Sequence, residues 1–285
     1  DLQIQPFFLQ RCFKDAADIG EEGFEFTNSS DPADVIIERS SIKTSKYYHP
    51  EALSHQDLIC VFTDTNTMVP GTEIEIPNHK PLGIKVELRT YAWNYSFTES
   101  FVILDYHFTN TADHVIEKPV VGLWIDASVG NMNYTNKCEP GGGWTWYDNL
   151  NGFYYDNYDS VAYKHLAYQY DVDGDEGFAE SIIGFKVLGA SQPKTEYNVY
   201  YNQWKWNTIQ NNEWPDFILP KTETERYLTM SNMGRIDQLP TDPDSWMVLL
   251  SAGPFADLAP GESFHCVFAV VAGFWGETEE EFLAP

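Results

Sequence analysis

Residues 82–93 read LGIKVELRTYAW, and this stretch decides the fold class. Ile84, Val86 and Leu88 alternate with charged residues at the positions between them. In an extended strand, successive side chains point to opposite faces, so this alternation gives one apolar face and one polar face. The stretch therefore predicts a half-buried β-strand with a core on one side.

The same kind of pattern recurs along the chain. Residues 101–108 read FVILDYHF and are followed by a turn at residues 110–113. Helix signals are few, the clearest being Thr222 with Glu225 three residues later, which matches a capping box. Residues 131–160 and 203–233 read as long loop insertions. We expect an all-β protein, an antiparallel β-sandwich with long loop insertions and few short helices. The other expected strands are residues 120–125, 161–170, 182–188, 196–201, 246–250 and 264–271.

The composition limits the possible partners. The chain has 43 acidic and 17 basic residues, a formal net charge of −26, which disfavours binding to nucleic acid or to anionic membranes. The longest apolar stretch, residues 267–275, is far shorter than the ~20 residues that span a bilayer, so no membrane insertion is expected. The four cysteines form no CxxC pair, and both disulfides and free thiols remain open.

An acidic loop at residues 171–177, DVDGDEG, indicates calcium. Calcium takes 6–8 oxygen ligands, and alternating aspartates in a tight loop gather carboxylates around one ion. An EF-hand is not expected, because position 12 of the loop is Ile182 rather than a glutamate. An acidic turn without metal is the alternative. The predicted calcium ligands are Asp171, Asp173, Asp175, Asp126 and Glu180.

An aromatic segment within the first insertion suggests a ligand-binding surface. Aromatic rings beside amides and carboxylates are suited to stacking against sugar rings. The alternative is that the rings cover a small apolar core under the loop or contact a neighbouring domain. The candidate ligand-binding residues are Trp144, Trp146, Tyr147, Tyr154 and Tyr155.

Catalytic motifs are absent from the sequence. The seven histidines show neither HxH nor HExxH spacing, and there is no GxSxG, P-loop or GxGxxG motif. His107 and His265 alternate with strand residues and are interpreted as structural. A pair of carboxylates for glycoside hydrolysis is recognised by the distance between them in a cleft, which the sequence does not give. The sequence therefore predicts a protein that is not an enzyme.

Several segments resemble a recurring pattern of large secreted bacterial surface proteins. The resemblance implies an extracellular β-sandwich region of a multidomain protein, in a class that mostly lacks an assigned activity. Residues 1–80 and the glycine-rich insertion at residues 141–143 depart from it. The matching segments are residues 99–111, 121–126, 170–175, 183–189, 246–255, 258–263 and 271–273.

Together these observations predict a non-catalytic extracellular or cell-surface module, structural or adhesive, with a calcium-stabilised loop. Its expected partners are other domains or subunits of a surface assembly, and glycans. The alternatives are a carbohydrate-binding module or polysaccharide-active enzyme that uses the aromatic loop, and a self-assembling filament or sheath subunit. We expect one sandwich region over residues 1–285, with a possible division into 1–80 and 81–285, as a piece of a longer chain.

Overall fold

The computed structural model describes residues 36–65, 67–68, 73–75, 80–127, 129, 149–154, 165–171, 181–205, 223–232, 234, 241, 243 and 246–274. Within these residues the chain is all-β, with one short helix, α1 (Glu223–Met230). No helix in this part of the chain is long and apolar enough to cross a membrane. The strands are β1 (Ile37–Arg39), β2 (Gln56–Thr63), β3 (Ile84–Ala92), β4 (Phe101–Asn110), β5 (Val121–Ile125), β6 (Asn149–Tyr154), β7 (Leu166–Asp171), β8 (Ser181–Ala190), β9 (Asn198–Lys205), β10 (Trp246–Gly253) and β11 (Ser263–Phe274).

The chain forms two compact units, and the first contains the described residues up to 117 and residues 256–267. Its strands lie in the order β1-β2-β3-β4-β11. The pairs from β1 to β4 are antiparallel, with Cys60 opposite Leu88 and Leu88 opposite Tyr106. The domain boundaries predicted from the sequence stay a prediction.

The alternation of β3 and β4 gives this sheet two chemically different faces. Val86 and Leu88 are buried, whereas Lys85 is exposed and Glu87 and Arg89 are half-buried. The buried face is extended by the stacked rings of Phe108 and Phe264, whose centroids lie 5.1 Å apart. The opposite, polar face carries the charged side chains of β3, including Glu87 and Arg89.

Buried polar side chains close the turns of the first unit. Asp64 accepts hydrogen bonds from the backbone N–H groups of Leu82, Gly83 and Ile84, at 2.6, 3.1 and 2.9 Å. Gly83 has a φ of 78°, and an added Cβ would lie 2.8 Å from the Cβ of Ala112, so both conformation and space favour glycine there.

The second unit contains residues 118–255 and the described residues from 268 onward. One sheet has the order β6-β7-β8-β11, and a three-stranded antiparallel sheet has the order β5-β10-β9. Gln169 on β7, fully buried, donates from Nε2 to the Trp246 carbonyl of β10 at 2.9 Å. Phe153 on β6 stacks on Tyr201 on β9, with centroids 4.6 Å apart. The two sheets therefore pack face to face as a sandwich, which confirms the expected fold class.

The strands expected over residues 101–108, 120–125, 182–188 and 246–250 are confirmed, with each end differing by at most three residues. Residues 149–154 differ, because they lie inside the expected loop insertion and form β6. The segment is a strand because it pairs antiparallel with β7. The buried Asn149 also holds Val129: its Oδ1 accepts from the Val129 N–H at 2.7 Å, and its Nδ2 donates to the Val129 carbonyl. Asparagine is typical of turns, but here its amide replaces water as the partner of a buried backbone.

Candidate metal centre

Asp105 and His107 lie on the same face of β4. They are two residues apart in an extended strand, so their side chains project to the same side. The antiparallel register places Asp105 opposite Arg89 and His107 opposite Glu87 on β3. The pair therefore belongs to the polar face of the first unit's sheet.

His265, on the neighbouring strand β11, completes a cluster of three. The His107 and His265 ring centroids lie 5.3 Å apart, with the planes tilted by 57°. Oδ2 of Asp105 lies 3.1 Å from Nε2 of His107, and Oδ1 of Asp105 lies 3.5 Å from Nδ1 of His265. One ligand atom from each of the three residues lies within 4.8 Å of the others. The cluster therefore brings one carboxylate and two imidazoles to a single point.

The cluster is half-buried. The Asp105 side chain is 16% exposed, while those of His107 and His265 are 36% and 38% exposed. Even so, Oδ1 of Asp105 and Nε2 of His107 are both buried atoms without a hydrogen-bond partner. A buried polar atom without a partner costs about 1–3 kcal/mol, so these two atoms mark a place where a binding partner would stabilise the protein.

The two donor-to-donor distances measured from Asp105 fit a small cation. Two ligand atoms at about 2.1 Å from a tetrahedral zinc ion are about 3.4 Å apart. The distances of 3.1 and 3.5 Å lie on either side of that value. An ion could therefore be held with small side-chain adjustments and no change in the strands.

An ion pair on β3 borders the cluster. Arg89 donates from Nε to Oε1 of Glu87 at 2.6 Å, and this hydrogen bond raises the pKa of the Arg89 guanidinium. Burial, followed by the negative charge of Asp105, raises the pKa of Tyr91. The carboxylate of Glu87 already has a cationic partner, so it competes less than Asp105 for a metal ion.

Two cysteines lie on the other face of the same sheet, Cys60 on β2 and Cys266 on β11. Cys60 and Cys266 are free thiols. Burial raises the pKa of Cys60 to about 11 and that of Cys266 to about 12, the latter also because of the Asp105 charge. Both remain protonated at neutral pH, and a protonated thiol is a poor metal ligand. The site is therefore a carboxylate and imidazole site rather than a thiolate site.

The predicted calcium ligands are only partly described. Asp171 is buried at the end of β7, and Asp126 is exposed just after β5. Among the described residues, neither belongs to a group of three side chains that could hold a metal ion. Asp173, Asp175 and Glu180 lie outside the described residues. The calcium-stabilised loop stays a prediction.

The predicted aromatic ligand site is represented by one residue. Tyr154 ends β6 and is 45% exposed. Trp144, Trp146, Tyr147 and Tyr155 lie outside the described residues. A glycan site on this loop stays a prediction.

The Asp105, His107 and His265 cluster was not predicted from the sequence. The histidines match neither the HxH nor the HExxH motif, and His107 and His265 were expected to be structural. The useful signal was Asp-x-His in an alternating strand, which puts both side chains on one face. His265 gives no local signal, because its contribution depends on β11 lying next to β4.

No family model and no curated protein matches the chain. Among solved structures, the chain is similar to a protein from Escherichia coli K12 named "Putative aldose 1-epimerase", with 9% sequence identity and a TM-score of 0.26. The match covers 77% of this chain and 66% of the other, so the chain spans just under two thirds of that protein's length.

This match contradicts the prediction that the chain is not an enzyme, since the matched protein is named as one. We correct the prediction: the chain is no longer regarded as non-catalytic. At this TM-score the likeness carries no argument about a substrate, a reaction or catalytic residues.

Proposed function

We propose that the protein binds one divalent transition-metal ion through Asp105, His107 and His265 and keeps further coordination positions open for water or a small ligand. The observation that carries the proposal is the convergence of two imidazoles on one carboxylate, with separations of 3.1 and 3.5 Å. Two histidines and one carboxylate form a ligand set found in catalytic zinc sites and in non-haem iron sites.

The donor atoms favour a transition metal over calcium or magnesium. Calcium and magnesium take oxygen ligands almost exclusively, whereas imidazole nitrogen is suited to zinc, iron, nickel and copper. Two of the three donors here are imidazole nitrogens. The expected ion is therefore zinc or a metal of similar chemistry.

The number of ligands and their exposure support an open site. Structural zinc sites are closed by four protein ligands, whereas catalytic sites use three and leave one position for water or substrate. The described residues offer three ligands here, and both imidazoles are more than a third exposed. A fourth position on the polar face would therefore be accessible to solvent. A metal in such a position lowers the pKa of a bound water, which makes it a nucleophile at neutral pH.

An ion pair without metal is the competing interpretation. Asp105 would then act as the shared acceptor for two imidazoles. In the structure, however, the approaches of 3.1 and 3.5 Å do not form hydrogen bonds to Oδ1 of Asp105 or Nε2 of His107, whereas a metal ion would give both buried atoms a partner. These two buried atoms without hydrogen-bond partners therefore favour the metal site over the ion pair.

Cobalt(II) substitution tests the proposal, since cobalt occupies zinc sites and has a visible spectrum that depends on coordination. We expect metal-free protein to bind one equivalent of Co²⁺. The visible absorption bands of the cobalt-loaded protein should shift when azide binds at the open coordination position. Asp105→Asn and His265→Ala should abolish the bands. His114→Ala is the matched control, because His114 lies 3.3 Å from Asp113 in an exposed pair.

Two outcomes would overturn the proposal. Absence of Co²⁺ absorption bands in the wild-type protein would show that no metal ion binds at this cluster. A spectrum that azide leaves unchanged would indicate closed coordination and would contradict the open position.

A further inference from the structure

Two exposed aromatic rings stack on each other in the hairpin between β3 and β4. Tyr95 is 48% exposed and Phe97 is 78% exposed. Their ring planes are within 3° of parallel, and their centroids are 5.5 Å apart. Two large rings thus share one orientation and are open to solvent, where their burial by a ligand would be favourable.

Thr98 holds the hairpin in this conformation. Its single hydroxyl proton lies between the carbonyls of Trp93 and Tyr95, at Oγ1–O distances of 3.2 and 3.0 Å, and its oxygen accepts from the Tyr95 N–H at 3.2 Å. The Thr98 N–H also donates to the Tyr95 carbonyl at 2.8 Å. Thr98 itself is buried. The rings are therefore presented by an ordered turn, which lowers the entropic cost of binding.

A hydrogen-bond donor lies beside the rings. The His55 ring packs at 57° to Tyr95, with centroids 4.6 Å apart. Nδ1 of His55 accepts from the Asn94 N–H at 3.0 Å. Because Nδ1 is the acceptor, the proton of the neutral imidazole lies on Nε2, which is then a donor. Asn94 and Ser96 are exposed and add polar groups on either side of Tyr95.

We propose that this hairpin surface, formed by His55, Tyr95 and Phe97, binds the pyranose rings of a neutral oligosaccharide. The exposed ring of Phe97, supported by the stacked Tyr95, is suited to the apolar C–H face of a sugar, and the imidazole N–H and the Tyr95 hydroxyl are suited to its hydroxyl groups. The proposal uses none of the three metal ligands, so each proposal can fail without the other.

Self-association is the rival explanation for exposed rings. A second copy of the chain could cover Phe97 and hide it from water. The net charge of −26 opposes the approach of two copies and favours an uncharged ligand. The sugar is therefore the better-supported occupant.

Native affinity electrophoresis tests the proposal. Gels would contain one of four neutral polysaccharides: hydroxyethylcellulose, arabinoxylan, galactomannan or soluble starch. We expect at least one to retard the wild-type chain. Phe97→Ala should weaken binding about tenfold, and Tyr95→Ala with Phe97→Ala should abolish the retardation. Tyr48→Ala, which removes a tyrosine that is 45% exposed, is the matched control and should migrate like the wild type.

Three results would overturn the proposal. The first is wild-type mobility that none of the four polysaccharides changes. The second is retardation that persists in the double variant, with circular dichroism showing that the variant is folded. The third is a wild-type dimer, measured by light scattering, that dissociates in Phe97→Ala, because that result would assign the surface to a second copy.

Discussion

Nε2 of His107 lies 3.1 Å from Oδ2 of Asp105, two residues earlier on the same strand, yet it makes no hydrogen bond. Strand periodicity brings the two side chains together, and His265 of β11 approaches the other carboxylate oxygen at 3.5 Å. The three donors are therefore fixed by backbone pairing before any ion arrives. Such preorganisation reduces the reorganisation that metal binding would require.

Zinc should stabilise the wild-type protein and not the ligand variants. Binding to the folded state alone adds about 2.7 kcal/mol when the free ion is 100 times its Kd. We expect thermal unfolding of metal-free protein to shift upward on adding Zn²⁺, and His107→Ala or His265→Ala to lose that shift. The same shift in both variants would show that zinc binds elsewhere.

The acidic loop should respond to a different metal. If Asp171, Asp173 and Asp175 hold calcium, Ca²⁺ raises the melting temperature, and Asp173→Ala lowers the melting temperature measured in calcium. His265→Ala should retain this response, since calcium does not use imidazole ligands. Differential scanning calorimetry with and without a calcium chelator measures both effects. An unchanged wild-type melting curve after chelation would end the calcium prediction.

Asn110 should be a stability determinant of the first unit. Its fully buried side chain accepts from the Ala112 N–H at 2.8 Å and donates to the carbonyls of His114 and Leu258 at 2.8 and 2.9 Å. Asn110→Ala leaves these backbone groups without partners, and we expect a loss of about 3 kcal/mol of unfolding free energy in urea. Asn198→Ala removes an exposed asparagine and should cost about 0.5 kcal/mol or less. Equal effects would contradict the assigned role.

Cys60 should resist alkylation at neutral pH. Burial raises its pKa to about 11, and only the thiolate is nucleophilic. Iodoacetamide labelling of the Cys60 peptide, followed by mass spectrometry, should stay slow at pH 8 and accelerate as the pH approaches 11. The same pKa difference affects stability. The thiol of unfolded protein ionises near pH 8.5, so the free energy of unfolding falls as the pH rises from about 8.5 towards 11. Fast labelling at pH 7 in folded protein would contradict the burial.

The strands of the fold were predictable because their signal is local. The alternation around Val86 and Leu88, and the segment from Phe101 to Asn110, need only neighbouring residues to be recognised. Strand β6 was not predicted, since Asn149 and Gly152 are residue types typical of turns, and the strand depends on its antiparallel pairing with β7.

The candidate site could be predicted only in part. Asp105 and His107 share a face by simple periodicity, which the sequence contains. His265 joins them because β11 is the neighbour of β4. The order of strands that are distant in the chain cannot be predicted from the residues of each strand alone. The parallel rings of Tyr95 and Phe97 depend likewise on the turn that Thr98 closes.

The central claim is that a metal ion binds between Asp105, His107 and His265. Anomalous diffraction at the zinc absorption edge, from crystals grown with Zn²⁺, tests it most directly. We expect one strong peak at about 2.0–2.2 Å from a carboxylate oxygen of Asp105, from Nε2 of His107 and from Nδ1 of His265. A map with no peak at this position, while the three side chains are ordered and solvent reaches them, would contradict the claim.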